Sequence, residues 1–279
     1  MNTMELMMNR KSCRAFQEKA IPPEVMNRLL DAAISAPSSG GFQNYAIIKV
    51  EDPARKKKLS EYSRGQGFIA SAPVNLVFCI DLHRERRIAE KLHGVCSLEY
   101  DYCKLIMLTL DAAIAAQNLC IAAESEGLGS VYIGNLIDRE KEAAELLNLP
   151  EEVIPVIMVT LGYPKTAGNL SGKYRREVLV HEETYEEKDM EVLLEDFWRK
   201  YEGWNIKPSE KILSGIAENA KDVYDEAYIE KMKAVMAGND LVDPLSFWYG
   251  YYYSDKTDMM DNEAHLKFLT EQKLEFWKV

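Results

Sequence analysis

The sequence predicts a protein that mixes helices with the strands of one buried sheet, and three observations carry that prediction. Short apolar runs at 45–50, 74–80 and 153–161, rich in Val and Ile, are each bounded by turn-forming Asn, Asp, Pro or Gly. Between them, apolar residues recur at helical spacing, the longest stripe being Leu105, Leu108, Ala112, Ala115, Leu119, Ala122 and Ala123. With 279 residues, 47% hydrophobic and 28% charged, the chain has the make-up of an ordinary globule of one or two domains.

Taken in order, Ile21-Pro22-Pro23-Glu24 supplies the prolines and the acid that a helix's first turn accepts. Val25, Leu29, Leu30, Ala33 and Ile34 then follow at helical spacing until Pro37 stops them. The small-residue loop Ser38-Ser39-Gly40-Gly41-Phe42-Gln43 leads into a strand over 45–50. A charged helix follows around Arg55 to Tyr62, whose Arg55-Lys56-Lys57-Lys58 run reads as a solvated face. The strand at 74–80 opens after Pro73 and closes at Asp81. A long helix from about Tyr100 ends at Gly127, and its alanine stripe permits close backbone approach, as in a central helix and a helix-to-helix dimer seam at once. A short strand at 131–133, a helix at 140–147 and a buried strand at 153–161 complete the pattern, closed by Gly162-Tyr163-Pro164.

From Glu182 to Asp196 there are eight acids and one base, which marks the end of a compact domain covering 1–190. The extension over 191–279 is helical and aromatic. Its Trp198, Trp204 and the run Phe247-Trp248-Tyr249-Gly250-Tyr251-Tyr252-Tyr253 carry too much apolar area for water. They must enter a core, wall a ligand pocket or meet another subunit, and packing on a partner subunit is the first expectation.

Charge and composition narrow the function. Against 34 Lys and Arg stand 45 Asp and Glu, a net charge of -11, which argues against nucleic acid or an anionic membrane as partner. The charged start, Met1 to Arg14, lacks the apolar core of a secretory signal. Asp111, Gln117 and Asn118 interrupt the most apolar helix, so no membrane span is expected. Five scattered cysteines without a CxxC pair fit a reducing cytoplasm. His93-x-x-Cys96 with Cys103 falls short of a zinc set, and neither a GxSxG elbow nor a dinucleotide or Walker fingerprint occurs.

Three constellations remain. Arg10-Lys11-Ser12-Cys13-Arg14 groups cations and a hydroxyl suited to a phosphate, or equally to a polar surface. Cys13, between cations, is a candidate for a lowered thiol pKa. Ser171-Gly172-Lys173-Tyr174-Arg175-Arg176 is the second basic island of an acidic chain, with Gly168 and Gly172 relaxing the backbone. Gly127, Gly129 and Gly134 bracket Ser130-Val131-Tyr132-Ile133, where they serve either a plain turn or the approach of a flat ring to the main chain.

In this order, these segments resemble the nitroreductase family of FMN-dependent oxidoreductases, in its NADPH nitroreductase and flavin reductase branch. The resemblance runs from about Met4 to Tyr185. It includes Arg10 to Phe16 with Lys11 where arginine is usual, Ser38-Ser39 with Gln43, Gly65-Gln66, Ala72 to Asp81, Ala116 to Gly134, Leu161 to Pro164, Lys173-Tyr174-Arg175 and Val180-His181-Glu182.

The resemblance implies an α+β three-layer sandwich, a mixed and mainly antiparallel sheet flanked by helices, in an intertwined homodimer with two FMN sites at the interface. By position, Arg10, Ser12, Lys173 and Arg175 correspond to the phosphate and ribityl set, Lys11 counts with them as cofactor-binding, and Arg14 and Gln66 correspond to the polar edge of the ring. Ser38, Ser39 and Gln43 correspond to ring or ribityl contacts, and Tyr132, Ile133 and Gly134 to the strip beside the ring. The implied activity passes hydride from NADPH or NADH through FMN to a nitroaromatic, a quinone or free flavin by a ping-pong sequence, with no protein nucleophile or general acid. The competing expectation is a flavin-binding storage or sensor protein whose extension closes the pocket.

Overall fold

In the computed structural model, the residues described are 2–95, 101–166, 168, 170–221, 223–252 and 261–277. Cys96, Tyr100 and Tyr253, named above, lie outside them. The chain divides into two compact units, Met1–Leu170 with Asp261–Val279, and Ser171–Met260. The division therefore falls after Leu170, whereas the change of composition pointed to 190. The last stretch rejoins the first unit because Phe268, Leu269, Leu274 and Phe276 are buried with Ile80, Leu82 and Leu108.

The first unit contains, in order, α1 (Thr3–Asn9), α2 (Pro23–Ile34), β1 (Tyr45–Val50), α3 (Pro53–Tyr62), α4 (Gly67–Ser71), β2 (Val74–Asp81), α5 (His83–Lys91), α6 (Tyr102–Ser125), β3 (Gly129–Ile133), α7 (Glu140–Leu147) and β4 (Val153–Gly162). After the second unit it closes with a helix at Asn262–Glu271. Among the described residues, the strands form one antiparallel sheet in the order β1-β2-β4-β3. All eight residues of β2 are buried, as expected of a central strand covered on both faces. Leu76 and Phe78 of β2 join Val159 and Leu161 of β4 against α2 and α6, through Met26, Leu29, Ala112, Ala115 and Leu119. On the opposite face Val77 and Cys79 meet Leu59, Ile69, Leu136 and Ala143. This is the α+β three-layer arrangement, with the sheet in the middle. The register slips between Phe78 and Cys79, opposite Pro155, where a residue without an N–H cannot continue the ladder.

The apolar runs place β1, β2 and β4 to within a residue of their observed limits. β3 is longer than expected because Gly129 and Ser130, which read as a turn, pair with Gly162 and Leu161. α6 is long and apolar enough to cross a membrane by length and composition. One face of it is used internally, where Ala112, Ala115, Ala116, Leu119 and Ala123 are packed in the core with Asp111 buried beside them, while Ile106, Leu110 and Ile114 are exposed. The basic run on α3 is not wholly solvated. Lys56 is buried, and its Nζ donates to Ala72 O at 2.6 Å and Pro73 O at 3.4 Å, with burial lowering its pKa.

The second unit is helical: α8 (Arg176–Leu179), α9 (Met190–Lys200), α10 (Glu210–Ala220), α11 (Glu226–Ala237) and α12 (Pro244–Phe247), followed by a wide helical turn at Trp248–Tyr252; the helix at Asn262–Glu271 is α13. The aromatic run, expected at a subunit contact, is in large part consumed inside this unit. Trp204 meets Phe247 edge-on at 5.3 Å, Phe247 stacks on Tyr252 at 6.0 Å, and Trp248 lies 6.4 Å from Tyr201. Trp204 Nε1 donates to Val242 O at 2.6 Å, which meets the polar requirement of a ring set among apolar neighbours. Tyr249 points outward.

Candidate functional site

The first basic island begins where α1 ends. Asn2 and Glu5 cap that helix reciprocally, each side chain accepting the other's backbone N–H at 2.9 Å, so Arg10 falls at its C-terminal boundary. The chain then runs extended beside the sheet. Cys13 N donates to Ser130 O, Gln17 N to Tyr163 O and Lys165 N to Ala15 O, each at 2.9 Å. Two glycines permit this approach. A Cβ on Gly129 would stand 2.6 Å from Cys13 Cβ, and one on Gly162 would stand 2.9 Å from Phe16 Cδ1. The glycines read together in the sequence therefore have separate tasks. Gly127 ends α6 with φ +73°, Gly129 admits Cys13, and Gly134 has open space where a Cβ would project.

Arg10 is half-buried, and its Nη1 is fully buried with no hydrogen-bond acceptor among the described residues. Burial raises the pKa of Glu124, while the charges of Arg10 and Lys11 pull it back down. Lys11 Nζ donates to Gly168 O at 3.3 Å. Ser12 bridges to Ser130, and Arg14 is exposed and forms no ion pair among the described residues. The reactive thiolate considered for Cys13 is overturned. Its thiol donates to Ala15 O at 3.3 Å, and partial burial, reinforced by Glu124, raises its pKa.

Alternation along β3 separates the ring-strip candidates. Tyr132 turns toward α6, where its hydroxyl donates to Gln117 Oε1 at 3.2 Å and burial raises its pKa. Ile133 points the other way and is buried in the opposite core layer. Gly134 follows, open on its Cβ side.

The loop over 38–43 is held by a residue that sequence reading took only as an interruption. Buried Asp111 of α6 accepts the Ser39 N–H with both oxygens, at 3.0 and 3.1 Å. Gln43 N donates to Ser38 Oγ at 3.1 Å and Gln43 Nε2 to Ile34 O at 2.6 Å, and Arg84 donates to the Gln43 carbonyl. A lone acid in the middle of an apolar stripe was the available signal, since such a group stays buried only with donors to satisfy it. Gln66, at the start of α4, donates Nε2 to Ser63 O at 3.0 Å, and the Arg64–Asp138 ion pair at 2.7 Å ties this loop to the turn after β3.

Lys173 and Arg175 belong to the second unit. A Cβ on Gly172 would lie 1.9 Å from Lys200 O, so glycine serves here to press the segment onto the end of α9. Arg175 is engaged by α9: its backbone N–H reaches Asp196 Oδ2 at 2.7 Å, its Nε Asp196 Oδ1 at 2.9 Å, and its Nη2 Glu195 Oε1 at 3.3 Å. Arg199 also bonds the shielded Asp196 at 2.6 Å, and these donors, Arg199 foremost, hold its carboxyl below the usual range. The Lys173 carbonyl accepts from Arg199 at 2.6 Å, while its side chain is exposed and in no ion pair among the described residues. The bridge from Ser12 to Ser130 thus sets the segment 10–14 alongside β3, the strand that carries Tyr132 and is followed by Gly134. Arg175 is spent on Asp196.

A three-layer α+β unit with a buried, unfilled guanidinium donor in that segment and a bare glycine after that strand offers the features that a flat anionic ligand requires. The chain belongs to the Nitroreductase family, whose family model matches residues 7–163. It is similar to the Bacillus subtilis (strain 168) protein named FMN reductase (NADPH), 37% identical over 188 residues, which are 66% of this chain and 74% of that one. It is also similar to the oxygen-insensitive NADPH nitroreductase of Salmonella typhimurium, 32% identical over 68% of this chain and 78% of the relative. Among solved structures, NfrA2 of B. megaterium matches over 100% of both chains with a TM-score of 0.74 and 27% identity. The NADPH:FMN oxidoreductase of Vibrio harveyi complexed with NAD+ matches over 85% of this chain and 98% of that chain, with a TM-score of 0.67 and 27% identity. The match to NfrA2 extends through the region beyond 190, where the sequence presented no resemblance.

Proposed function

We propose that the protein is a cytoplasmic, homodimeric FMN-dependent oxidoreductase that takes hydride from NADPH or NADH and passes it to a small aromatic acceptor, a nitroaromatic, a quinone or free flavin, by a ping-pong sequence. The observation that carries this reading is the buried Arg10 Nη1, which lacks an acceptor in the segment alongside β3, the strand followed by Gly134 with its open Cβ side. A buried guanidinium donor left unpaired is costly, and a phosphate oxygen would satisfy it. The residues present fit the cofactor on that test.

Bound FMN supplies the hydride-accepting and hydride-donating atom, N5. The chain's own residues bind and tune. Arg10, Lys11 and Ser12 would hold phosphate and ribityl oxygens; Lys173 and Arg175 are assigned to the same cofactor by the family resemblance, and Arg175 would have to exchange or share its contacts to Asp196 and Glu195 to serve. Arg14 and Gln66 face the polar edge of the ring, where a guanidinium favours the negative charge that reduction adds. Ser38, Ser39 and Gln43 contact ring or ribityl from a loop that Asp111 keeps in shape. Tyr132, Ile133 and Gly134 would flank the ring, Ile133 only through its main chain because its side chain is in the core.

The test is the visible spectrum of the purified protein under anaerobic conditions, before and after NADPH and, separately, NADH. Bands that bleach, and return on addition of a quinone or nitroaromatic, are expected. Bands inert to both nucleotides would move the reading to flavin storage or sensing. Absence of bands after incubation with FMN would overturn it.

A further inference from the structure

A second site lies in the first unit, on the face of the sheet covered by α7. A cleft of about 740 Å³ opens between α5, β1 and the end of α7, within the size range of small-molecule sites. Its apolar lining is supplied by Ala46 and Ile48 of β1, Leu147 and Leu149 around the end of α7, and the buried Val153 of β4. Ile88 and Leu92 also line it, yet are 48% and 73% exposed, so apolar side chains are left in water at its mouth.

Among the described residues, the charge left unpaired on the rim is positive and comes from Arg87 and Lys91. His83, Arg87 and Lys91 are spaced four residues apart on α5, share one face of that helix and line the cleft. The helix's other two arginines are neutralised: Arg84 lies 3.2 Å from Glu85 and 3.6 Å from Asp81, and Arg86 pairs with Glu152. Asp81, the acid in the lining, is occupied, accepting the Arg84 N–H at 3.0 Å. Arg87 and Lys91 have no ion-pair partner among the described residues, in a chain whose net charge is -11.

We propose that this cleft binds a small amphipathic anion, an apolar tail or ring carrying one anionic headgroup, with the tail against Ile48, Leu149 and Val153 and the headgroup between Arg87 and Lys91. An apolar floor rewards burial of the tail in proportion to its area, and two unpaired cations at the rim reward the charge. Neutral or cationic molecules with the same tail lack the second contribution.

The test is calorimetric titration of the FMN-loaded protein with dodecanoate, compared with dodecylamine and with the R87S/K91S variant, whose changes are confined to exposed side chains. Expected are saturable binding of one dodecanoate per chain, a loss of at least about tenfold in affinity in the variant and no saturable binding of the amine. Absence of dodecanoate binding, equal binding of the amine, or binding unaltered by the variant would each overturn the proposal. So would a ligand-free wild type that excludes dodecanoate while R87S/K91S converts it from dimer to monomer in sedimentation, because the cleft would then be covered by a second copy.

Discussion

Two glycines five residues apart separate packing from ligand approach. At Gly129 a methyl group would collide with Cys13 Cβ at 2.6 Å and touch Pro164 Cγ at 3.0 Å, and Cys13 cannot retreat without breaking its 2.9 Å bond to Ser130 O. G129A is therefore expected to cost about 1–3 kcal/mol in denaturant unfolding, as overpacking does. Gly134 has helical φ and ψ and free space, so G134A should change stability by no more than about 0.5 kcal/mol. Its effect should appear in bound FMN content, measured by absorbance after gel filtration, which should fall well below that of the wild type. Equal flavin content in G134A would remove Gly134 from the ring strip. The cations themselves were legible as residue types at 10–14 and 173–176. Their commitments were not, because Arg175 meets Asp196 and Lys11 meets Gly168 only through folding.

At the level of helices and strands, α13 is an element within the helical extension that sequence periodicity did not place. It seats Phe268 and Leu269 beside Ile80 and Leu108, and it is held by Lys141–Glu271 at 2.6 Å and by His265 Nδ1 against Glu140. The Glu140 hydrogen bond raises His265 above its ordinary 6.5 in spite of burial, and burial raises Glu140. Both shifts have the same sign, since the folded state binds protons more tightly than the unfolded one. The histidine's contribution is complete below 6.5 and is lost as pH rises through its higher folded value. Between about pH 6 and pH 8.5 the wild type should lose roughly 1 kcal/mol relative to H265Q, read from thermal unfolding at both pH values. Parallel curves would exclude the pair as a source of pH dependence. α5 was missed for a related reason: with no buried residue, it has no core stripe to detect.

At the scale of the whole molecule, exposed apolar side chains on α1 and α6 of the first unit are where the proposed dimer would form. Met4, Met7 and Met8 of α1 are exposed, as are Ile106, Leu110 and Ile114 at helical spacing on the side of α6 away from the sheet. Exposed apolar side chains grouped in this way suit an association surface, and a second copy is the occupant in the proposed dimer. I106E/L110E should therefore sediment as a monomer with an unchanged circular dichroism spectrum and reduced flavin, against a dimeric wild type. A double variant that remains dimeric would place the seam elsewhere.

The four strands of the first unit, its helices α2, α3, α6 and α7 and the family could be read from residue order, because a buried strand and an amphipathic helix impose local patterns on their own sequence. Which polar groups are free to meet a ligand could not. That depends on partners brought together from distant parts of the chain: Asp111 under Ser39, Asp196 on Arg175, an empty acceptor position at Arg10 and unpaired cations over the α5 cleft. No local period records a hydrogen bond made across tens of residues, so the chemistry left over for function became visible only when those bonds were counted in three dimensions.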